Sequence, residues 1–245
     1  MYKVTSPRPS PMERTSPRPS PKEREMLRGR KYGFILFLAT ILLICMAAVE
    51  VHAQYPGYKP VANAADFRQQ FTKAAKATQS IQCDFMQEKN LSMLADKITS
   101  TGKFWFKREN KVRMEYEKPS YYLLVINGSN IKTKDGQKEN KVSAKSNKMF
   151  EQINQMMIDC VQGTALDNKS FNTRVFENGP SYLVELVPTT KNLQGIFKNI
   201  TLTVDKKDYS VNKMEMLEQS GDNTTINFLH KQINTNIPDA VFSTQ

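Results

Sequence analysis

Histidine is almost missing from this chain, and cysteine is sparse. Its 245 residues include two histidines, His52 and His230, and three cysteines, Cys45, Cys83 and Cys160. With the two histidines far apart, neither a His-x-x-His pair nor a histidine-based metal cluster can be written. No cysteines stand as CxxC, and the glycines form no phosphate-cradling loop, Walker sequence or nucleophile elbow. His230 lies in a strand pattern with Phe228 and reads as a hydrogen-bonded structural residue. A Ser–His–Asp triad through it is the one catalytic arrangement left open. The carboxylates are scattered, so no acid–base pair is legible. The expectation is a protein without catalysis, metal or cofactor.

Long apolar runs are also few, and the one present is near the start. Thr5–Arg14 (TSPRPSPMER) is repeated almost perfectly as Thr15–Arg24 (TSPRPSPKER), with nothing that could build a core. Gly33–Val49 then runs apolar behind Arg28, Arg30 and Lys31, and Val51-His52-Ala53 follows with small-x-small spacing. A basic region, an apolar region and a small-residue site describe a secretory signal peptide cleaved after Ala53. The run has 17 residues, short of the ~20 of a spanning helix, so an uncleaved anchor ranks second. Ile44 before Cys45 argues against lipoprotein acylation. Residues 1–25 read as an extension upstream of a true start at Met26, residues 26–53 as the signal peptide, 54–63 as a flexible leader and 64–245 as the domain. A basic arm for nucleic acid is disfavoured, because export would strand it.

Removing 1–53 changes the charge. The whole chain carries +11, whereas residues 54–245 hold 26 Lys/Arg against 20 Asp/Glu. A balance of +6 suits a solvated surface and does not call for nucleic acid. Export would permit a disulfide between Cys83 and Cys160, but their positions do not show whether they approach; two buried thiols are the plainer reading.

Ser100–Asn127 organises the remainder. Phe104 and Phe106 share a face with Arg108; Lys103, Trp105 and Lys107 share the other, read as the wet one. After a turn at Glu109–Lys111, Val112, Met114 and Tyr116 alternate with charged residues. Period-two patterning of this kind marks half-buried strands. Asn127-Gly128, Asp135-Gly136 and Asn178-Gly179 are turn signals, and strand patterns recur over 81–86, 130–133, 138–142, 170–177, 181–188, 198–205, 211–218 and 224–232. Asn90–Lys97 is ambiguous between strand and loop. Two helices are predicted: one from Ala64, with Asn63 as N-cap and Phe67, Phe71, Ala74 and Ala75 on one face, and one over Ser146–Val161. In the second, Met149, Phe150, Ile153, Met156, Met157 and Cys160 form one apolar stripe. The fold class is therefore α+β: one antiparallel sheet curled into a half or full barrel, with both helices across its mouth. The inward set Phe104, Phe106, Val112, Met114 and Tyr116, with the helix stripe, is either ordinary core or the lining of a cavity that methionines help adapt to a ligand. Arg108 has two readings: a latch donating to helix-end carbonyls, or a strand-end cation reaching water.

FMQEKNLSML (85–94), GKFWFKRENKVRMEYEKP (102–119), LLVINGSNI (123–131) and the closing IPDAVF (237–242) together resemble the LolA family, carriers of lipoproteins through the periplasm. The resemblance implies an unclosed half barrel lidded by helices and an apolar cavity for acyl chains. It matches the latch to Arg108 and the inward residues of the following strand to Val112 and Met114; with the strand faces and helix stripe counted above, the cavity lining is expected to be Phe104, Phe106, Val112, Met114, Tyr116, Met149, Phe150, Ile153, Met156 and Met157. It further implies a periplasmic monomer, loaded by an inner-membrane lipoprotein-releasing transporter and emptied by an outer-membrane acceptor. Another lipid, or an envelope-sensing domain of the same fold, is the alternative. The sequence departs from the family pattern in having Glu109 where proline is usual, and Val112 and Met114 where aromatics are usual.

Overall fold

The computed structural model describes residues 55–94, 96–108, 110–143, 152, 155–156, 158–159 and 164–244. The expected signal peptide and upstream extension (1–53), Met149, Phe150, Ile153, Met157 and Cys160 lie outside the described residues. The fold below is that of the compact unit Ala53–Gln245.

Twelve strands form one sheet in which every neighbouring pair is antiparallel. They are β1 (Lys59–Pro60), β2 (Ser80–Leu91), β3 (Asp96–Lys107), β4 (Lys111–Lys118), β5 (Tyr122–Asn127), β6 (Asn130–Asp135), β7 (Lys138–Ser143), β8 (Phe171–Glu177), β9 (Ser181–Pro188), β10 (Phe197–Asp205), β11 (Val211–Glu218) and β12 (Asn223–Ile233). Two meanders, β2–β7 and β8–β12, are joined because the last strand pairs with β2, setting Phe228 opposite Phe85. β1 and β7 end the sheet without meeting, so the barrel is unclosed. Helix α1 (Ala64–Ala77) lies between β1 and β2 in sequence, and a middle segment is helical at Gln152, Gln155, Met156, Ile158 and Asp159.

The apolar interior has two parts. One joins Phe67 and Phe71 of α1 and Met156 to Val184, Leu186, Ile200, Leu202 and Met214. The other joins Cys83, Phe85, Phe104, Phe106, Val112, Met114 and Ile126. Even-numbered residues of β3 and β4 thus share the concave side, as their alternation demands. The ambiguous stretch resolves as a hairpin, with Leu91 opposite Asp96, so β3 starts four residues earlier than Ser100.

Two expectations fail on the outer face. The odd-numbered side of β3 is not simply wet: Trp105, Leu123 and Val125 are covered by Ile237 and Phe242 of the C-terminal segment. Lys107 Nζ donates to Ile237 O at 2.8 Å, Arg113 Nη1 to Val241 O at 3.2 Å and Asn127 Nδ2 to Phe242 O at 3.2 Å. Trp105 shares its face of β3 with Lys103 and Lys107, and its half-burial comes from the distant IPDAVF and from Arg113 over its ring. The leader is likewise docked instead of free from Tyr55 onward. Lys59–Pro60 pairs with β8, Tyr58 Oη lies 2.9 Å from Ser181 Oγ, and Tyr55 Oη donates to Glu185 Oε1 at 2.7 Å. Glu185 is 1% exposed and also receives Arg174 Nε at 2.5 Å. A buried carboxylate needs such partners, and burial, before the carboxylate itself, pushes the Tyr55 phenol pKa up.

Gly102 is where the sheet tolerates no side chain. It lies opposite Phe85 on one side and Tyr116 on the other, with a register shift at Thr101/Gly102. Phe85 and Tyr116 close over it edge to face at 4.9 Å. A Cβ there would stand 2.0 Å from Glu115 O and 2.9 Å from Phe85 Cε1. Gly102→Ala is expected to lower unfolding free energy by about 2 kcal/mol or more through overpacking, read by urea denaturation. A change within ~0.5 kcal/mol, that of a neutral surface substitution, contradicts this packing.

Candidate functional site

The end of α1 is held by side chains from three directions. Asn63 Oδ1 starts the helix by accepting from Asp66 N at 3.0 Å, and Phe67, Phe71 and Ala75 face the sheet at four-residue spacing. No glycine follows the helix, so its last carbonyls need other donors. Thr78 Oγ1 donates to Ala74 O at 3.1 Å, Gln79 Nε2 to Lys76 O at 3.3 Å and Asn234 Nδ2 to Ala77 O at 3.1 Å. Arg108 supplies the rest. Its Nη2 donates to Ala75 O at 2.5 Å, its Nε to Thr78 O at 2.8 Å, and its backbone N–H to Gln79 O at 2.9 Å. A guanidinium also suits the negative end of the helix dipole.

Beneath this clamp is a cavity of about 70 Å³ bounded by Phe71, Ala75 and Thr78 of α1 and its cap, Cys83 and Phe104 of β2 and β3, and Met214 and Phe228 of β11 and β12. The β10–β11 turn and Lys231 close its opposite rim. Lys231 Nζ donates to Ser210 Oγ at 2.5 Å, to Val211 O at 3.2 Å and to Asn212 Oδ1. Burial pulls its pKa down, against the raising effect of Asp208 and Asp205. The volume is about half of the ~150 Å³ that admits benzene in an apolar core. Two of its walls, the end of α1 and the β10–β11 turn, are each held by a cation.

The structure places the predicted residues unevenly. Phe104 lines the cavity. Phe106, Val112, Met114 and Tyr116 share its side of the sheet but fill the neighbouring core. Tyr116 donates to Gln87 Oε1 at 2.9 Å, and burial pushes its phenol up to about 12. Met156 is buried in the other part of the interior, with Phe67 and Phe71. Lys231 and Asn234 were missed. The register shift between Leu229 and Gln232, with His230 at φ 53°, swaps the faces, so Lys231 and Ile233 point inward where simple alternation would put His230. His230 instead is a solvent-exposed ring with Nδ1 2.9 Å from Asp84 Oδ2. Asn234 leaves a trace in its residue type, since at φ 61° asparagine is a favoured non-glycine.

Cys83 is a free, buried thiol on the cavity wall, and its expected alternative partner Cys160 lies outside the described residues. Burial, with Lys231 opposing, pushes the Cys83 thiol up to about 12. It should therefore stay protonated and resist alkylation at pH 8 while the cavity is shut. Arg108→Leu removes two side-chain donors to helix carbonyls, each worth about 1.5–3 kcal/mol when charge-assisted. The expected result is at least ten-fold faster iodoacetamide labelling of Cys83, read by peptide mass spectrometry. Equal rates would mean that Arg108 does not hold the wall.

Comparison with known proteins adds a family and a set of remote folds. The model of the family described as outer membrane lipoprotein carrier protein LolA matches residues 76–245. Comparison with curated proteins gives no match. Among solved structures, a LolA superfamily protein from Nitrosomonas europaea is similar at 9% identity, covering 75% of this chain and 99% of that one, with a TM-score of 0.42. A conserved protein from Thermus thermophilus is similar at 10% identity over 71% and 91%, TM-score 0.44. Lipoprotein LppX from Mycobacterium tuberculosis is similar at 9% identity over 71% and 96%, TM-score 0.42. Likenesses so remote carry no functional weight. The family model spans more than half of the sequence, and the chain belongs to the LolA family.

Proposed function

We propose that this protein is a periplasmic carrier that shields the acyl chains of lipoproteins and delivers them from the inner to the outer membrane. The observation that carries the proposal is the Arg108 clamp on the end of α1 above an apolar cavity. Each methylene withdrawn from water contributes about 0.8 kcal/mol, so a multiply acylated anchor cannot cross an aqueous gap uncovered. A carrier must cover those chains and also release them.

A cavity that closes on itself when empty meets both demands. Closure satisfies the helix carbonyls and lowers apparent affinity by the fraction of time the site is shut. An inner-membrane transporter would supply the work of loading, and an outer-membrane acceptor that binds more tightly would drain the carrier. The concave row Phe104, Phe106, Val112, Met114 and Tyr116 would rearrange around the chain, with the middle helical stripe (Met149, Phe150, Ile153, Met156 and Met157) as the second wall. No step forms or breaks a covalent bond, and no cofactor is needed. Cleavage after Ala53 would release the carrier into the periplasm.

Arg108→Leu separates binding from release. With a fluorescent diacylated lipopeptide, the variant is expected to bind at least as tightly as wild type but pass cargo to acceptor vesicles several-fold more slowly. Transfer at the wild-type rate contradicts the clamp's role. Failure of the wild type to bind the lipopeptide saturably would remove the carrier reading itself.

A further inference from the structure

The apex of the β2–β3 hairpin is the most exposed apolar feature among the described residues. Met93 is 92% exposed and Leu94 67%, and Ile98 on the adjoining strand is 46% exposed. Single exposed apolar residues are ordinary; two in succession at the end of a projecting ribbon are not. The ribbon does project, since β3 begins at Asp96 but pairs with β4 only from Thr101. Five residues at about 3.3 Å each carry it roughly 16 Å past the end of β4.

The apex is held rigid. Ser92 N and Ser92 Oγ donate to Asp222 Oδ1 at 2.9 and 3.0 Å, Ser92 Oγ lies 3.2 Å from Ser220 O, and Leu94 N donates to Leu91 O at 3.2 Å. The neighbouring β11–β12 turn thus props the hairpin open and keeps Met93 and Leu94 from folding back. The same bonds satisfy backbone groups that would be costly to bring into a poorly hydrated layer. Below the apex, Lys89 pairs with Glu218 at 3.2 Å and Lys97 with Glu88 at 2.6 Å. These charges neutralise one another and leave no basic collar to seek anionic headgroups.

We infer that Leu91–Leu94 is a membrane-contacting tip, inserting Met93 and Leu94 into the interfacial layer of a lipid bilayer by apolar burial and not by charge. A bilayer suits the shape, because Met93 and Leu94 stand at the apex of a ribbon that runs past the end of β4 and find partners in a deformable apolar medium, whereas a protein would need a matching socket. Ile98 and Leu91 fall on the concave-face parity of Phe85 and Phe104, so the tip lies at the end of the row that includes a cavity wall. The contact adds to the carrier reading without resting on it, since it is made by the empty protein.

The full chain also carries the apolar run 33–49, so the readout must be local. A tryptophan placed by Met93→Trp is examined with protein-free vesicles of acyl-brominated phosphatidylcholine, against wild type, in which Trp105 is packed under the C-terminal segment. The expected result is a blue shift and quenching of the new tryptophan only, unchanged by about 0.5 M salt, which would screen a charge-driven contact. Adding Leu94→Ser should raise the lipid needed for half-maximal quenching about ten-fold, the effect of losing one buried leucine. No quenching at position 93 overturns the inference. A blue shift seen only with vesicles bearing envelope proteins also overturns it and assigns the tip to a protein partner. Quenching abolished by salt overturns the apolar mode.

Discussion

A helix that ends over an apolar cavity without a glycine must find donors for its last carbonyls, and here several come from beyond the helix's own cap. Arg108, at the end of β3, bonds Ala75 and Thr78; Asn234, after β12, bonds Ala77. These strands come from the two meanders that the β12–β2 pairing joins. The clamp therefore ties the end of the lid to both halves of the sheet, while Phe67 and Phe71 bury the helix's apolar face in the core.

The outer face is also held by burial and polar contacts together. Phe242 fills the surface beneath IPDAVF and is fully buried, while Lys107 and Lys111 hold Asp239 at 2.7 and 3.1 Å. Those lysines hold the Asp239 carboxyl below its usual range. A group with a lowered folded pKa contributes stability above its unfolded pKa and loses that contribution as pH falls through the folded value. At neutral pH both ends of the domain are thus fixed: the C-terminal segment by burial and charge, and the segment from Tyr55 by the Glu185 pair.

Much of this was legible in the sequence because alternation is a local property. Phe104, Phe106, Val112 and Met114 declare one face at a period of two, and Phe67, Phe71 and Ala75 declare another at helical spacing. A curled antiparallel sheet, half or full barrel, follows from many short strand patterns with two predicted helices, and the family resemblance implied the unclosed form. What stayed hidden were long-range events. The register shift near His230 reverses parity with no compositional mark, so Lys231 was unreadable as a cavity residue. Trp105 looked solvent-facing because its cover is more than 130 residues distant in sequence. The local pattern left Arg108 equally as a latch or as a snorkelling cation; only the placed carbonyls of Ala75 and Thr78 distinguish these geometries.

A latched wall that yields to cargo is the centre of this account, and a distance measurement addresses it directly. Spin labels at Lys76→Cys on α1 and Lys103→Cys on β3, in a chain whose native cysteines are replaced by alanine, report the gap between helix end and sheet. Saturating diacylated lipopeptide is expected to lengthen that distance by several ångström and to narrow its distribution as the opened state is filled. An unchanged distance in a chain shown to be loaded would mean that acyl chains enter without moving α1, and the clamp would then be ordinary helix capping.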